Sequence, residues 1–335
     1  MNIIWGLIFS LLLLPFSPSV PRAATNLNIG YSTINPRITP LWIAQEKGYF
    51  HKYGLDTTLV FVRSTPLLIA SMKSGSIPVA YGAGSGILNA SVGGADLTIL
   101  ATFTGKMTNN LVARPAIKTA KELRGKIVGV QSIGGTNWMA ALLWLEQLGL
   151  DLRQDHITIQ PIGDQIVRSQ ALEAGKIDAA AIDTVFAKKL EQRGFTVLGD
   201  PQRTFIPFVG VDIVATRAYI AEQSGTLENL FKALLESFAF VLTPRNQSTV
   251  VELIMKRLRI TDPAPAEEGY QDLLRTMARK PYPGLEGLRN VQRLTKAQNP
   301  RIADIRIEDL VDSRFIRKLD ESGFIDRIYA TSGER

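Results

Sequence analysis

The amino-acid sequence predicts an α/β fold of two lobes, joined by two crossing segments and followed by a helical C-terminal tail. One βαβ pattern occurs twice, in residues 27–62 and 126–162, about a hundred residues apart. An apolar, extended segment at 207–216 follows the second copy and would return the chain to the first lobe. Beyond residue 218 the apolar residues recur with the helical period of 3.6.

The two βαβ copies share the order of their parts. Each has an apolar strand, a small polar loop, an amphipathic helix, a Gly-Leu-Asp stop and a second apolar strand. Glycine at such a stop is typical of a helix C-terminus. In a βαβ unit the loop after the first strand lies at the carboxyl edge of a parallel sheet, where ligands bind. The loops at 32–39 and 131–136 are therefore expected to form a clamp around a small ligand.

The remaining elements are predicted from the same two signals, which are the period of the apolar residues and the glycines that end helices. The rest of lobe one is predicted as a helix at 65–75, a strand at 77–81, a glycine-rich opening of a helix at 82–92, and strands at 97–104 and 110–113. Lobe two continues with helices at 165–174 and 184–193 and strands at 179–182 and 195–198. The tail is predicted to hold helices at 227–242, 250–258, 266–279, 285–298 and 313–322.

The domain organisation follows from length and from the N-terminus. A chain of 335 residues suggests about two domains of roughly 150 residues each. Residues 1–24 are apolar over 3–15 and end in Ala23-Ala24, which predicts a signal peptide, with an uncleaved membrane anchor as the alternative. We expect lobe one to comprise 25–113 and 214–335, and lobe two 114–213. The crossings are expected near 110–113 and 210–216.

Composition excludes several classes of function. The formal charge of +7 is spread along the chain without a dense run of lysine and arginine, which argues against a nucleic-acid groove. The absence of cysteine excludes disulfides, thiolate metal sites and a thiolate nucleophile.

Three motifs together resemble the periplasmic substrate-binding proteins of ABC importers, in the group that handles sulfonates, taurine, nitrate and thiamine-pyrimidine precursors. They are TPLWIAQEKGYFHKYGLD at 39–56, LRGKIVGVQSIGGTNWMAALLWLEQLGLD at 123–151 and ALEAGKIDAAAID at 171–183. The likeness runs from about residue 27 to 216. It implies a type II periplasmic-binding-protein fold with two crossing hinge strands, a small-molecule ligand between the lobes, and delivery to an ABC permease at the inner membrane. It also implies a monomer in the periplasm without a cofactor.

The second-lobe loop is the strongest candidate for ligand contact. A helix N-terminus offers unpaired N–H groups and a partial positive charge, and therefore binds anionic groups. Gly134 and Gly135 would permit close backbone approach, while Ser132 and Thr136 add hydroxyl donors. The alternative is an ordinary capped loop with Thr136 as the N-cap. The ligand is accordingly expected to be small and anionic.

The other candidate ligand contacts belong to loops expected to face the same cleft. They are Thr33, Asn35, Trp42, Arg63, Ser64, Gly84, Ser85 and, on the second lobe, Asp183. Arg63 could clamp an anion through two parallel hydrogen bonds, or be a solvated loop charge. Trp42 could stack on a ligand or belong to the core. Asp183 could accept a hydrogen bond from the ligand or cap the helix that follows it.

Catalytic motifs are sparse. His51 and His156 belong to no two-histidine metal motif, no serine stands in GxSxG, and the chain has no Walker A loop. The leading interpretation is therefore a solute-binding protein that is not an enzyme and holds no metal. Two alternatives remain: a pyrimidine-precursor synthase, whose family pattern includes cysteines that this chain lacks, and a binding protein that presents its ligand to a sensor kinase.

Overall fold

A computed structural model describes residues 24–331. Apart from Ala24, the predicted signal peptide lies outside the described residues. Within residues 24–331, ten strands form two five-stranded sheets. The strands are β1 (Thr25–Tyr31), β2 (Leu55–Phe61), β3 (Val79–Tyr81), β4 (Leu97–Lys106), β5 (Asn109–Ala113), β6 (Ile127–Val130), β7 (Thr158–Pro161), β8 (Ala179–Asp183), β9 (Thr196–Gly199) and β10 (Pro207–Thr216).

The two sheets have the same topology. The first has the order β2-β1-β3-β10-β4, in which β1 is parallel to β2 and β3, and β10 is antiparallel to β3 and β4. The second has the order β7-β6-β8-β5-β9, in which β6 is parallel to β7 and β8, and β5 is antiparallel to β8 and β9. The predicted pair of βαβ units is confirmed, and each lies in the parallel half of one sheet.

Helices flank both sheets and make up most of the chain after β10. Those before β10 are α1 (Thr39–Glu46), α2 (Tyr49–Lys52), α3 (Thr65–Lys73), α4 (Ile87–Val92), α5 (Thr136–Gln147), α6 (Gln165–Glu173) and α7 (Thr184–Gln192). The tail holds α8 (Arg217–Glu222), α9 (Ser224–Leu242), α10 (Gln247–Leu258), α11 (Pro263–Thr276), α12 (Leu285–Thr295), α13 (Arg314–Glu321) and α14 (Phe324–Thr331). Within residues 24–331 no helix combines the length and apolar character needed to cross a membrane.

The longest tail helix, α9, completes the core of lobe one. Its buried face includes Leu230, Phe231 and Phe238, which share one apolar cluster with residues of β1 and α1. The ring of Phe238 stacks on Phe103 of β4 at 3.8 Å between centroids. Burial of side chains this large contributes about 1.5–3 kcal/mol each, so the tail stabilises lobe one by covering its sheet.

The chain changes sheet twice, at neighbouring positions. Residues 107–108 lead from β4 in the first sheet to β5 in the second, and residues 200–206 lead from β9 back to β10. The two crossings touch, since the Met107 amide donates to the Ile206 carbonyl at 2.8 Å. The expected crossings near 110–113 and 210–216 lie instead inside β5 and β10, because the paired residues of each stretch belong to one sheet.

A glycine next to the last residue of the first strand of each βαβ unit allows close packing. A Cβ on Gly30 would lie 2.4 Å from Leu68 Cδ1, and one on Gly129 would lie 2.4 Å from Ile177 Cδ1. Strand glycines commonly mark such close approach. Without a Cβ at these positions, the side chains behind each sheet pack directly against the strand backbone.

Candidate functional site

A small cavity of about 30 Å³ lies between the two sheets, where the loops after their strands meet. We call it the inner cavity. The loop after β1, the end of β3 and the strand β10 form its lobe-one wall. The start of α5, the end of β8 and the first crossing form the rest. Its lining residues are Thr33, Asn35, Arg37, Ile38, Tyr81, Gly82, Thr108, Asn109, Thr136, Asn137, Asp183, Phe208, Gly210 and Val211.

A buried ion pair joins the two lobes across this cavity. Arg37, in the loop after β1, contacts Asp183 at the end of β8, and their side chains are 7% and 2% exposed. Asn35 Nδ2 also donates to Asp183 Oδ2 at 3.0 Å. The Asp183 side chain makes no capping hydrogen bond to α7. The alternative of a simple helix cap is therefore wrong, because the carboxylate reaches across the cleft instead.

Arg37 has a second carboxylate on its own lobe. Its Nη1 lies 3.5 Å from Asp272 Oδ2 on α11, and its carbonyl accepts the Tyr81 hydroxyl at 2.9 Å. Burial lowers the pKa of Arg37, and Asp272 opposes that shift. Burial likewise raises the pKa of Asp272, and Arg37 opposes it. Each charge is thus costly to bury alone and is stabilised by the other.

Further cross-lobe contacts hold the cleft closed. One is an exposed ion pair of Arg293 with Glu146, and others lie beside the cavity. The hydroxyls of Ser85 and Thr136 lie 2.8 Å apart. Gln131 Nε2 donates to the carbonyls of Ser32 and Arg63 at 2.9 and 2.7 Å. In addition, Gln165 Nε2 donates to the Ile34 carbonyl at 3.1 Å. Side chains of lobe two thus donate hydrogen bonds to backbone carbonyls of the lobe-one loops. These bonds can form only when the lobes are together.

The loop before α5 packs tightly on itself. Gly135 is the N-cap of α5, so the alternative of Thr136 as the N-cap is wrong. The Thr136 hydroxyl instead forms a hydrogen bond with the Ser85 hydroxyl. Gly134 has φ +76°, the left-handed region that favours glycine. The Ser132 hydroxyl is buried and has no hydrogen-bond partner among the described residues. Its oxygen lies 2.7 Å from where a Cβ on Gly135 would be.

A fully buried carboxylate fixes the glycine-rich loop of lobe one. Asp212 Oδ1, on β10, accepts from the amides of Ala83 and Gly84 at 3.0 and 2.8 Å. Within the described chain its Oδ2 has no hydrogen-bond partner. Burial raises the pKa of Asp212 to about 7, although the two amide hydrogen bonds act in the opposite direction. The carboxylate thereby positions the loop that carries Ser85.

A larger space of about 270 Å³ adjoins the inner cavity toward the cleft mouth, and we call it the outer chamber. The two spaces share Thr33, Asn137 and Asp183. Apolar side chains from both lobes line the outer chamber, and several are unusually exposed. Its other lining residues are Ser32, Ile34, Phe61, Gln131, Asp164, Gln165, Ile166, Phe186, Arg257, Leu258 and Arg259. The outer chamber thus adds apolar surface at the mouth of the cleft, beside the charged side chains of Asp164, Arg257 and Arg259.

The structure brings only part of the predicted site to the cavity. Thr33, Asn35, Thr136 and Asp183 line it. The remaining loop candidates lie in the loops that close over it; these are Gly84, Ser85, Ser132, Gly134 and Gly135.

Three predicted contacts lie elsewhere, for identifiable reasons. Trp42 is 2% exposed within the lobe-one core, since α1 turns that face toward α9. The Arg63 side chain is exposed, and only its carbonyl makes a cross-lobe contact. Ser64 caps α3 by accepting from the Leu67 amide.

Several residues of the cavity were missed from the sequence. They are Arg37, Tyr81, Thr108, Asn109 and Asn137, with Asp212 behind the loop. A signal existed for Arg37, because it is the one cation inside the first polar loop at 32–39. No comparable signal marked Asp212, since a strand register is needed to place it beside the loop.

The histidines lie outside this cleft. His51 on α2 and His156 before β7 are both exposed and line neither space. In the described part of the chain, no group of three or more histidine, cysteine, aspartate or glutamate side chains is arranged to hold a metal ion.

Comparison with protein families shows to which family the chain belongs. The family described as NMT1/THI5 like matches residues 35–247, which include the first βαβ unit after its first strand, the whole second unit, both crossings and most of the cleft lining. The chain belongs to the NMT1/THI5-like family. The resemblance found in the sequence motifs is confirmed at this level.

Relatives of this NMT1/THI5-like chain include a Brucella abortus protein whose name describes a binding protein. It is 28% identical over 172 residues, which are 51% of this chain and 52% of the relative. The match thus spans about half the length of that protein.

Solved structures share the fold with this NMT1/THI5-like chain. The alkanesulfonate-binding protein of Xanthomonas axonopodis pv. citri, bound to MOPS, has a TM-score of 0.70 and 19% identity, covering 88% of this chain and 100% of its own. The periplasmic nitrate-binding protein of Synechocystis PCC 6803 has a TM-score of 0.65 and 14% identity, covering 93% and 90%. A desulfurization enzyme has a TM-score of 0.60 and 15% identity, covering 88% and 98%. The expected two-lobed periplasmic-binding-protein fold with its helical tail is therefore confirmed.

Proposed function

We propose that this NMT1/THI5-like protein is an extracytoplasmic solute-binding protein that captures a small organic ligand between its lobes and delivers it to an ABC permease. The observation that carries this proposal is the cavity between two similar sheets, which cross-lobe hydrogen bonds close. Two short adjacent crossings permit such lobes to open and close as a hinge.

The chemistry of the cleft supports an organic ligand. At its base, hydroxyls, amides and the Arg37–Asp183 pair offer both donors and acceptors. Toward the mouth, Ile34, Phe61 and Ile166 offer apolar surface. Ligand pockets typically combine apolar walls with a few convergent polar groups. A ligand with a polar head and an apolar body matches this division.

The partner and the location are also part of the proposal. The predicted signal peptide at 1–24 and the fold shared with a structure named as periplasmic support a periplasmic protein. The fold shared with named solute-binding proteins supports delivery to a permease. We propose that the protein acts as a monomer. Loss of uptake of the identified ligand in cells lacking this protein, with recovery when it is restored, tests the delivery step.

A thermal-shift screen of small metabolites tests ligand capture directly. A ligand at 100 times its dissociation constant should raise the free energy of unfolding by about 2.7 kcal/mol. Calorimetric titration of each hit should give one site per chain. A broad library without any hit would contradict the proposal.

The desulfurization enzyme among the structural neighbours makes catalysis a second candidate. Prolonged incubation of the purified protein with its ligand, followed by mass spectrometry, separates the two functions. A binding protein returns the ligand unchanged, whereas turnover to a product would establish an enzyme. The expected outcome is unchanged ligand, since both histidines lie away from the cleft.

A further inference from the structure

The two partners of the cross-lobe ion pair are not equivalent when the lobes separate. Arg37 retains Asp272, which packs on the same lobe at 3.5 Å. The Asp183 carboxylate is different, because Arg37 and Asn35, which both contact it, belong to lobe one. Opening the cleft therefore leaves a neutralised arginine on lobe one and a bare carboxylate on lobe two.

A ligand that enters between the lobes must take over the contacts of Asp183. A simple anion would face the Asp183 carboxylate, and like charges repel. The arginine that it would meet, Arg37, is already paired with Asp272. Arg37 is the one lysine or arginine lining the inner cavity among the described residues. A cationic or N–H-donating group would instead pair with Asp183 and offset its desolvation.

Another buried arginine does not change this balance. Arg168 on α6 is fully buried, but its Nη1 donates to the Gly163 carbonyl at 2.5 Å and it lines neither space of the cleft. In the inner cavity, the charge that lobe two presents to a ligand is thus that of Asp183. In the outer chamber Asp164 accepts hydrogen bonds from the amides of Ile166 and Val167, and Arg257 pairs with Glu46.

We propose that Asp183 determines ligand specificity, and that the ligand carries a basic or N–H-donating nitrogen, as in an amine, an amidine or an amino-substituted heterocycle. This inference rests on the proposed function. It departs from the expectation of a simple anion, which came from the helix N-terminus at Thr136. Zwitterions belong to the class, because their acidic group can meet the amides at the start of α5.

Matched pairs of probes test the inference on the wild-type protein. Taurine and ethanesulfonate differ by an amino group, and so do β-alanine and propionate. In calorimetric titration the amino member of each pair should bind at least tenfold more tightly. Equal or tighter binding of the acid-only members would overturn the inference, while leaving the proposed function in place.

Substitution of the carboxylate supplies a second, independent result. Asp183→Asn should weaken binding of the amino probes at least tenfold and leave the acid-only probes unchanged or bound more tightly. The matched control is Asp178→Asn, which removes a lobe-two carboxylate that pairs with Arg114 at the other end of β8. The control should keep the wild-type ranking. Denaturant unfolding confirms that both variants fold.

If none of the four probes binds, the metabolite screen decides whether the inference holds. If a library hit binds and lacks a basic or N–H-donating nitrogen, the inference is overturned. The same follows if a nitrogen-bearing hit binds Asp183→Asn as tightly as wild type. If the library gives no hit at all, the proposed function fails together with the inference.

Discussion

At the residue scale, the buried carboxylate of Asp212 positions a loop and lowers the stability of the folded protein when it is charged. Among the described residues it accepts two amide hydrogen bonds and pairs with no cation. Burial raises its pKa to about 7, against about 3.9 in an unfolded chain. Between these values the folded protein binds a proton that the unfolded chain does not. The free energy of unfolding should therefore fall as pH rises through this window, by up to about 1.4 kcal/mol per pH unit, and level off above it.

Asp212→Asn tests this dependence because it is neutral at every pH. We would measure the free energy of unfolding of both proteins with denaturant from pH 4.5 to 8.5. As pH rises to about 7, the wild type should become less stable relative to the variant. Asp304→Asn, an exposed aspartate, is the control and should run parallel to wild type. Parallel curves for Asp212→Asn would show that its carboxyl titrates normally.

At the element scale, the loop before α5 leaves little room for a side chain at Gly135. A Cβ at Gly135 would lie 2.7 Å from Ser132 Oγ, so Gly135→Ala should destabilise the protein by about 1–3 kcal/mol through overpacking. Ser132→Ala removes that oxygen, which makes no hydrogen bond among the described residues, and should cost little. The double variant should recover most of the loss, as denaturant unfolding of all four proteins would show. Additive effects would mean that the two residues do not meet.

At the scale of the whole molecule, closure of the lobes is the property that the proposed function requires. Cross-lobe bonds from Gln131, Gln165 and Ser85 exist only in the closed arrangement. We expect the ligand-free protein to open about the crossings and the bound protein to match the closed structure. Small-angle scattering should then show a smaller radius of gyration at saturating ligand. An unchanged radius, with binding verified by calorimetry, would contradict hinge closure.

Much of the fold could be predicted because its signals are local. Apolar period, glycine stops and helix caps act within a few residues, and they placed both βαβ units and the tail helices near their observed bounds. The strand at Pro207–Thr216 was predicted at its observed limits. The motifs at 39–56, 123–151 and 171–183 also carried the family, which the match over residues 35–247 confirmed.

The site needed the tertiary structure because its pairs are distant in sequence. Arg37 meets Asp183 across 146 positions, and Asp212 meets Gly84 across 128. No local pattern links such residues, since strand order and lobe closure alone bring them together. The same reason explains Trp42, whose helical period fits either a core or a ligand face until the position of α9 assigns it to the core. The sequence by itself thus determined two lobes, their loops and their family. Tertiary contacts decided which charges face the cleft, because burial and pairing depend on the assembled fold.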